Sequence, residues 1–362
     1  MLFASAAAAE PFRLAASNTL DVLNNLRGGI KTGTRTLNKT DVSATLVGGE
    51  AFWAGWQALV QAQWTHNNDF SGTLVGDSQV VSNIDAPQGF RVMNAWVSKE
   101  FPGRAGFKLG VLDLNTEFDV QNVGALFLNA SNGIGPDFSQ SGENGPSIFP
   151  ATGLAAVGWI LPTENWVLKA GIFEGTAGDP SFPGRSRFNL SHDEGVLLAF
   201  ESRVQITPGI NLGVGGWHYT SDFSAIGSAV PVYGNSGIYG VAEATLVGNP
   251  EGERLDGWIR AGLANARINS IRSYAGGGLV YSAPFGREND AVGLAVSHIY
   301  FGEPARLMAG LSNSETVFEL TYGFSWGENI AVQPDFQYII NPGGTGLRNA
   351  VIAGARFVLT FP

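Results

Sequence analysis

A strict alternation of apolar and polar residues along short segments is the feature that most constrains this chain. In residues 318–326, within the segment 316–326, one parity is aromatic or aliphatic, and the other is charged, hydroxylated or glycine. Residues 330–340 and 349–361 alternate in the same way. Successive side chains of a β-strand point to opposite faces. Each segment is therefore predicted to be a strand with one apolar face and one polar face.

Similar segments of about ten residues recur along the whole chain and are separated by Pro/Gly turn sequences such as those at 207–209, 249–252 and 341–344. They add up to about sixteen strands. No linker or charge run divides the chain, so residues 10–362 are predicted to form a single all-β domain. The other candidate strands are residues 17–27, 40–48, 52–65, 91–100, 107–113, 154–161, 166–174, 195–205, 210–220, 238–247, 254–263, 277–283 and 291–301.

The composition places these strands in a membrane. Charged residues make up 14% of the chain, whereas soluble domains average about 25%. No apolar run reaches the length of about 18 residues that a spanning helix needs. Every backbone group must be paired inside a bilayer, so a chain without such helices can span it only as a closed barrel. The prediction is a transmembrane antiparallel β-barrel.

The polar strand faces carry Glu, Gln, Arg and Asp, which a packed sandwich core would not accept unpaired. Aromatic residues near strand ends are typical of the girdles at the two membrane interfaces. A barrel of about sixteen strands leaves a water-filled interior. The long polar segment 175–193 is predicted to be an extracellular or inward-folded loop. We expect one loop to fold inward and constrict the channel.

Both ends of the chain suggest export to an outer membrane. Residues 1–9 form a short apolar stretch followed by small residues, and we interpret them as the remnant of a secretory signal peptide. A disordered alanine-rich end is the alternative. At the other end, Phe357, Leu359 and Phe361 alternate in a final strand of the kind that the barrel-assembly machinery reads. Pro362 after the last Phe departs from that pattern.

Several other functions are disfavoured. The chain has no Cys, which excludes disulfides and thiolate chemistry. A net charge of −10 disfavours nucleic acid as a partner. Ser191, His192 and Asp193 are consecutive and cannot easily adopt a nucleophile–base–orienter geometry. We therefore expect no enzyme activity, no cofactor and no metal site.

Five stretches resemble the carbohydrate-selective porin family of Gram-negative outer membranes, the glucose-porin type. They are NNLRGG (24–29), LGVLDLNTEFD (109–119), LFLNAS (126–131), GPSIFP (145–150) and the closing segment 315–361, which contains PDFQYIINPGG. The resemblance implies a sixteen-stranded outer-membrane barrel through which monosaccharides such as glucose diffuse. The expected partners are small neutral sugars, outer-membrane lipid and lipopolysaccharide, with the choice of monomer or trimer open. The alternatives are a general diffusion porin with slight cation preference and a barrel enzyme or adhesin.

The segment 113–119 supplies the candidate pore lining. If it is extended, Asp113, Asn115, Glu117 and Asp119 share one face and form a ladder toward the lumen. Carboxylates and amides suit sugar hydroxyls, and close like charges call for cationic partners. The alternatives are a ladder that only braces an inward loop, and a calcium loop, which Phe118 at its glycine position disfavours. Candidate partners and one stacking aromatic are Arg185, Arg187, Arg203, Arg254, Arg260, Arg356 and Trp258.

Overall fold

The computed structural model of the chain describes residues 11–49, 51–66, 69–190, 193–228, 230–249 and 252–361. The predicted signal remnant at residues 1–9 lies outside them, and so does Pro362. The described residues form sixteen strands, in the order predicted. They are β1 (Phe12–Gly29), β2 (Gly33–Val47), β3 (Trp56–His66), β4 (Gly89–Phe101), β5 (Ala105–Leu112), β6 (Gly153–Thr163), β7 (Trp166–Glu174), β8 (Val196–Thr207), β9 (Ile210–Ser224), β10 (Pro231–Gly248), β11 (Arg254–Ala264), β12 (Ile271–Ser282), β13 (Ala291–Phe301), β14 (Ser314–Trp326), β15 (Ile330–Ile340) and β16 (Arg348–Phe361).

The strands close into a barrel. Each strand pairs antiparallel with its neighbours in sequence, and β1 pairs with β16 to complete the ring. At this closure Asp21 lies opposite Arg356, with both side chains directed to the lumen. A closed barrel has no free sheet edge and satisfies its backbone inside a bilayer. The predicted all-β antiparallel barrel is confirmed.

The two faces of the wall follow the predicted alternation. On β14, Phe318 is 43% exposed and Leu320 50%, whereas Glu319 and Thr321 are each 1% exposed. Apolar side chains therefore face outward and polar side chains face the lumen. No helix among the described residues is long and apolar enough to cross a membrane. Two short helices, α1 (Pro136–Ser139) and α2 (Glu303–Ala309), lie in loops.

Short turns and long loops lie at opposite ends of the barrel. The terminal rim is the end where β1 begins and β16 ends; its connections are short, as predicted for residues 327–329. The loop rim is the opposite end and carries the long connections. Two of them, residues 69–88 and 113–152, fold inward and are called the small loop and the constriction loop. The predicted inward-folded loop is thus present.

Some predicted boundaries are wrong for identifiable reasons. The strands predicted at 238–247 and 277–283 begin earlier, at Pro231 and Ile271. A register shift lies in each missed portion, between Tyr233 and Asn235 and between Ile271 and Ser273. Such bulges reverse the parity and hide the alternation. The candidate strand at 52–65 starts in a 3-10 turn, so β3 begins only at Trp56.

Candidate functional site: the channel and its constriction loop

The constriction loop lies inside the barrel, packed against its inner wall. Its apolar side chains Leu114, Phe118 and Phe138 are fully buried. They pack against the inner wall, where the Phe138 ring stacks on Trp217 with centroids 5.2 Å apart and planes 6° apart. Aromatic contacts of this kind add to the stabilisation from area burial alone. The loop is therefore a packed part of the protein rather than a free surface flap.

The segment 113–119 is not extended, so the predicted one-faced ladder is wrong. The Asp113 carboxylate accepts a hydrogen bond from the Asn115 backbone N–H at 2.9 Å and caps a 3-10 turn over Leu114–Thr116. Asp119 then adopts a left-handed conformation with φ of 54°. Local side-chain capping of this type competes with strand geometry. Asp113 and Asn115 therefore stay together, whereas Glu117 and Asp119 face different ion-pair partners.

Glu117 stands at the root of the loop between two lysines of the wall. Lys108 on β5 binds one carboxylate oxygen, and Lys169 on β7 binds the other at 3.0 Å. Burial raises the pKa of Glu117, but the two lysines outweigh it and hold that pKa below its usual value. The cationic partners expected for this carboxylate are lysines, not arginines.

Asp119 and Asp137 share Arg260 of β11, and all three side chains are fully buried. The guanidinium binds Asp119 through two nitrogens, at 3.2 and 2.7 Å, and also contacts an oxygen of Asp137. The rings of Tyr239 and Tyr274 each lie 5.3 Å from the guanidinium carbon. Burial raises the pKa of Asp119 to about 6 even though Arg260 lowers it. The predicted arginine partner is present here, in a clamp that holds the loop.

Glutamates of the wall bind backbone N–H groups of the constriction loop. Glu319 accepts hydrogen bonds from the backbone N–H groups of Leu128 at 2.5 Å and Asn129 at 3.2 Å. Other contacts of this kind are Asp119 N–H to Glu201 at 2.8 Å and Val123 N–H to Glu243 at 2.8 Å. A carboxylate that accepts several N–H donors makes strong, charge-assisted hydrogen bonds.

The small loop is held in the same way and meets the constriction loop. Glu315 on β14 accepts the backbone N–H groups of Ser78 and Gln79 at 2.8 and 3.0 Å. The two loops join through Ala130 N–H to the Val80 carbonyl oxygen at 3.0 Å. They therefore form one connected constriction.

A cavity of about 590 Å³ remains between this constriction and the wall formed by β1–β4 and β16. Most of its lining residues carry amide, hydroxyl or charged groups, and the apolar side chains of Val80, Ile84, Met93, Ile134, Ile148 and Phe149 line it as well. Lys39 and Arg356 lie on the wall side, and Asp85 and Asp113 lie on the loop side. The other polar residues lining it are Thr19, Gln61, Gln63, Gln79, Ser82, Asn83, Asn94, Asn115, Thr116, Ser131, Ser139 and Gln140.

The wall cations are already paired. Arg356 binds Asp21 through two nitrogens at 2.7 and 2.8 Å, and Lys39 lies 3.3 Å from Asp41. On the loops, burial is the main influence and raises the pKa of Asp85 and of Asp113 to about 6 in each case. The cavity thus combines opposite charges with many neutral hydrogen-bonding groups.

Of the residues proposed from sequence, Asp113, Asn115 and Arg356 line this cavity. Arg203 instead binds Glu201 and the Val120 carbonyl oxygen. The others occupy further places. Arg254 pairs with Asp256, Arg187 pairs with Glu194, Trp258 is buried against Phe127, and Arg185 lies at the loop rim beside Phe90. Arg203, Arg260 and Trp258 thus contact the constriction loop from the wall.

Sequence reasoning missed Lys39, Asp85 and Asn94. Lys39 shares its parity with the buried Leu37, but the predicted strand begins at residue 40 and leaves it out. Asp85 lies in an irregular loop that carries no periodic signal. Gln61 and Gln63, which also line the cavity, do fall within the strand predicted at 52–65.

Comparison with known proteins identifies the family. The sequence model described as carbohydrate-selective porin, OprB family, matches residues 38–361. The chain belongs to this family. That finding confirms the resemblance drawn from the sequence. No curated protein matches the chain.

Solved structures share the fold. The high-pH structure of Pseudomonas putida OprB superposes with a TM-score of 0.86 at 19% identity, covering 97% of this chain and 94% of that one. Salmonella typhi OmpF in complex with daunomycin gives 0.63 at 8% identity, with 97% of each chain covered. An anion-selective porin from Comamonas acidovorans gives 0.58 at 10% identity, covering 97% of this chain and 99% of that one.

Family and fold together indicate a β-barrel protein of the Gram-negative outer membrane, and a channel rather than an enzyme. Among the described residues, no group of three or more His, Cys, Asp or Glu side chains is arranged to hold a metal ion.

Proposed function

We propose that this porin lets small neutral sugars, monosaccharides such as glucose, diffuse passively into the periplasm. The observation that carries the proposal is the cavity beside the constriction, with Lys39 and Arg356 facing Asp85 and Asp113 among many amides and hydroxyls. Sugar hydroxyls both donate and accept hydrogen bonds, so they match both sides of this lining.

Pairing of the wall cations favours a neutral solute. Arg356 and Lys39 already have carboxylate partners, so an anion would have to displace Asp21 or Asp41 to bind them directly. A sugar can instead form short-lived hydrogen bonds to the outer atoms of these pairs. Conduction requires binding that is weak enough for release, and neutral hydrogen bonds of about 0.5–1.5 kcal/mol meet that requirement.

The test is liposome swelling with purified protein and three solutes: glucose, a disaccharide and a zwitterion of glucose size. Glucose influx should be fastest. Asp113→Asn keeps the size of the side chain and an oxygen for the 3-10 cap, but removes the charge. It should slow glucose influx roughly two- to tenfold, because one hydrogen bond to the sugar is weakened. Asp222→Asn, the same change at an exposed site on β9, is the matched control.

A general diffusion porin with slight cation preference is the second candidate, and the net charge of −10 favours it. Equal influx of glucose and the zwitterion, with no effect of Asp113→Asn, would support it over the sugar channel. Correctly folded protein that gives no swelling at all would contradict both channel proposals.

A further inference from the structure

Arg185 lies at the loop rim in a position that the channel does not explain. The upper part of β4 has no β5 partner, because β5 pairs only with Ala95–Phe101. Residues 182–186, here called the strap, cover this open edge. Phe90 and Arg185 form a parallel β-bridge, and Ser186 Oγ accepts a hydrogen bond from Val92 N–H at 2.8 Å. The strap belongs to the loop between β7 and β8.

The alternation of side chains along β4 places Phe90 and Arg185 on the outer face of the barrel. Arg91, next to Phe90, points inward, where its guanidinium binds Thr65 Oγ1 at 2.8 Å and the Pro183 carbonyl oxygen. Phe90 is 65% exposed on the opposite face and lies directly across from Trp64, which is 53% exposed. Arg185 is bridged to Phe90 and shares that outer face.

A cleft of about 680 Å³ opens between the strap and the start of β4. Its floor is apolar, with Phe90 and a 57% exposed Phe182. The Arg185 guanidinium lies 5.5 Å from the Phe182 ring centroid. Within the described ranges, no carboxylate forms an ion pair with it. An exposed cation thus stands over the exposed Phe182 ring and next to the exposed Phe90.

This arrangement fits one class of ligand. Aromatic residues of outer-membrane barrels lie at the level of the membrane interfaces. An arginine presents several N–H donors in a fork that matches phosphate oxygens. The loop rim faces the outer leaflet if the terminal rim faces the periplasm, as in outer-membrane barrels with short periplasmic turns. We propose that the cleft binds a phosphorylated glycolipid of the outer leaflet, with the phosphate on Arg185 and an acyl chain against Phe90 and Phe182.

The chain has no cysteine, so Ser181→Cys at the lip of the cleft gives a single site for a small bimane fluorophore. Labelled protein in neutral-lipid bicelles is titrated with lipid A that carries its phosphates. A saturable change in emission is expected. Adding Arg185→Gln should raise the lipid A concentration at the midpoint about tenfold, because one charge-assisted hydrogen bond is lost. Arg272→Gln, which removes another outward arginine that lies over an aromatic ring, Tyr300, should leave the midpoint unchanged.

Two further ligands define the source of the phosphate. Removing the phosphates from lipid A should weaken its binding to the protein that retains Arg185. The loss should be about as large as the loss that Arg185→Gln causes with phosphorylated lipid A. Inorganic phosphate should give no saturable response in the same concentration range. Equal midpoints for the labelled proteins with and without Arg185→Gln, or for lipid A with and without phosphates, would overturn the proposal. A response to phosphate alone at the lipid's midpoint would overturn the assignment to a lipid. Glucose influx is measured in parallel and should not change, which separates this site from the channel.

Discussion

Replacing Arg260 with methionine removes the cation between two fully buried carboxylates. Asp119 and Asp137 would then face each other without a partner, because Arg260 is the guanidinium that binds both. Breaking a buried ion pair by removing one partner costs about 3–5 kcal/mol. That cost corresponds to a change of roughly two to nearly four powers of ten in the ratio of docked to released loop.

The barrel itself should remain folded, since its sixteen strands close without Arg260 side-chain contacts. The wall contacts through Glu319 and Glu243 also remain. We therefore expect the loop segments around Asp119 and Asp137 to detach from the wall, while residues 123–129 between them stay docked. Single-channel recordings in planar bilayers should show a larger and noisier conductance, and liposome swelling should show faster influx of a disaccharide.

Two control variants separate the role of the clamp from other effects of the substitution. The triple variant Arg260→Met, Asp119→Asn, Asp137→Asn leaves no unpaired charge, so it should recover much of the original conductance. Arg287→Met removes an exposed arginine that is ion-paired with Asp290, away from the constriction loop, and should change nothing. Original conductance and solute discrimination in Arg260→Met alone would show that the clamp does not hold the loop.

Three further changes test other parts of the structure. Burial raises the pKa of Asp85 and of Asp113 to about 6, so both lose their charge as pH falls through that value while the wall cations keep theirs. The reversal potential in a KCl gradient should therefore shift toward that of chloride below about pH 6. Asp113→Asn should remove about half of that shift. Glu117→Gln leaves two wall lysines without their shared carboxylate and should increase current noise at the loop root, whereas unchanged recordings would contradict its bracing role. Phe318→Arg places a charge on the lipid face of β14 and should cost about 2–4 kcal/mol if it lies near the bilayer midplane, measured by urea titration of protein folded in vesicles, with Phe318→Leu as the control.

The barrel was predictable because its signal is local. A strand with one face to lipid and one to water repeats every two residues, so Phe318, Glu319 and Leu320 reveal their faces without knowledge of any partner. The signal failed where bulges reversed the parity, at Tyr233 and at Ile271, and at some strand ends such as the start of β3, which follows a 3-10 turn. Closure between β1 and β16 follows from the need to leave no edge in lipid.

The constriction was less predictable because its contacts join distant parts of the chain. The hydrogen bond between Glu319 and the Leu128 N–H links residues 191 positions apart, and no local pattern encodes it. The one local inference, an extended ladder at 113–119, was wrong because Asp113 caps its own turn. The sequence therefore indicated which residue types face the channel, but not which of them remain free to meet a solute.

The wall glutamates bind mostly the backbone of the two inward loops, and this affects how freely the loop sequences can change. Glu201, Glu243, Glu315 and Glu319 all accept backbone N–H groups, and every amino acid except proline supplies that donor. Side chains along the loops are thus replaceable without loss of these attachments. A barrel built this way can acquire a new solute preference through loop substitutions while its wall sequence stays constant, which makes the loops the natural place to redesign selectivity.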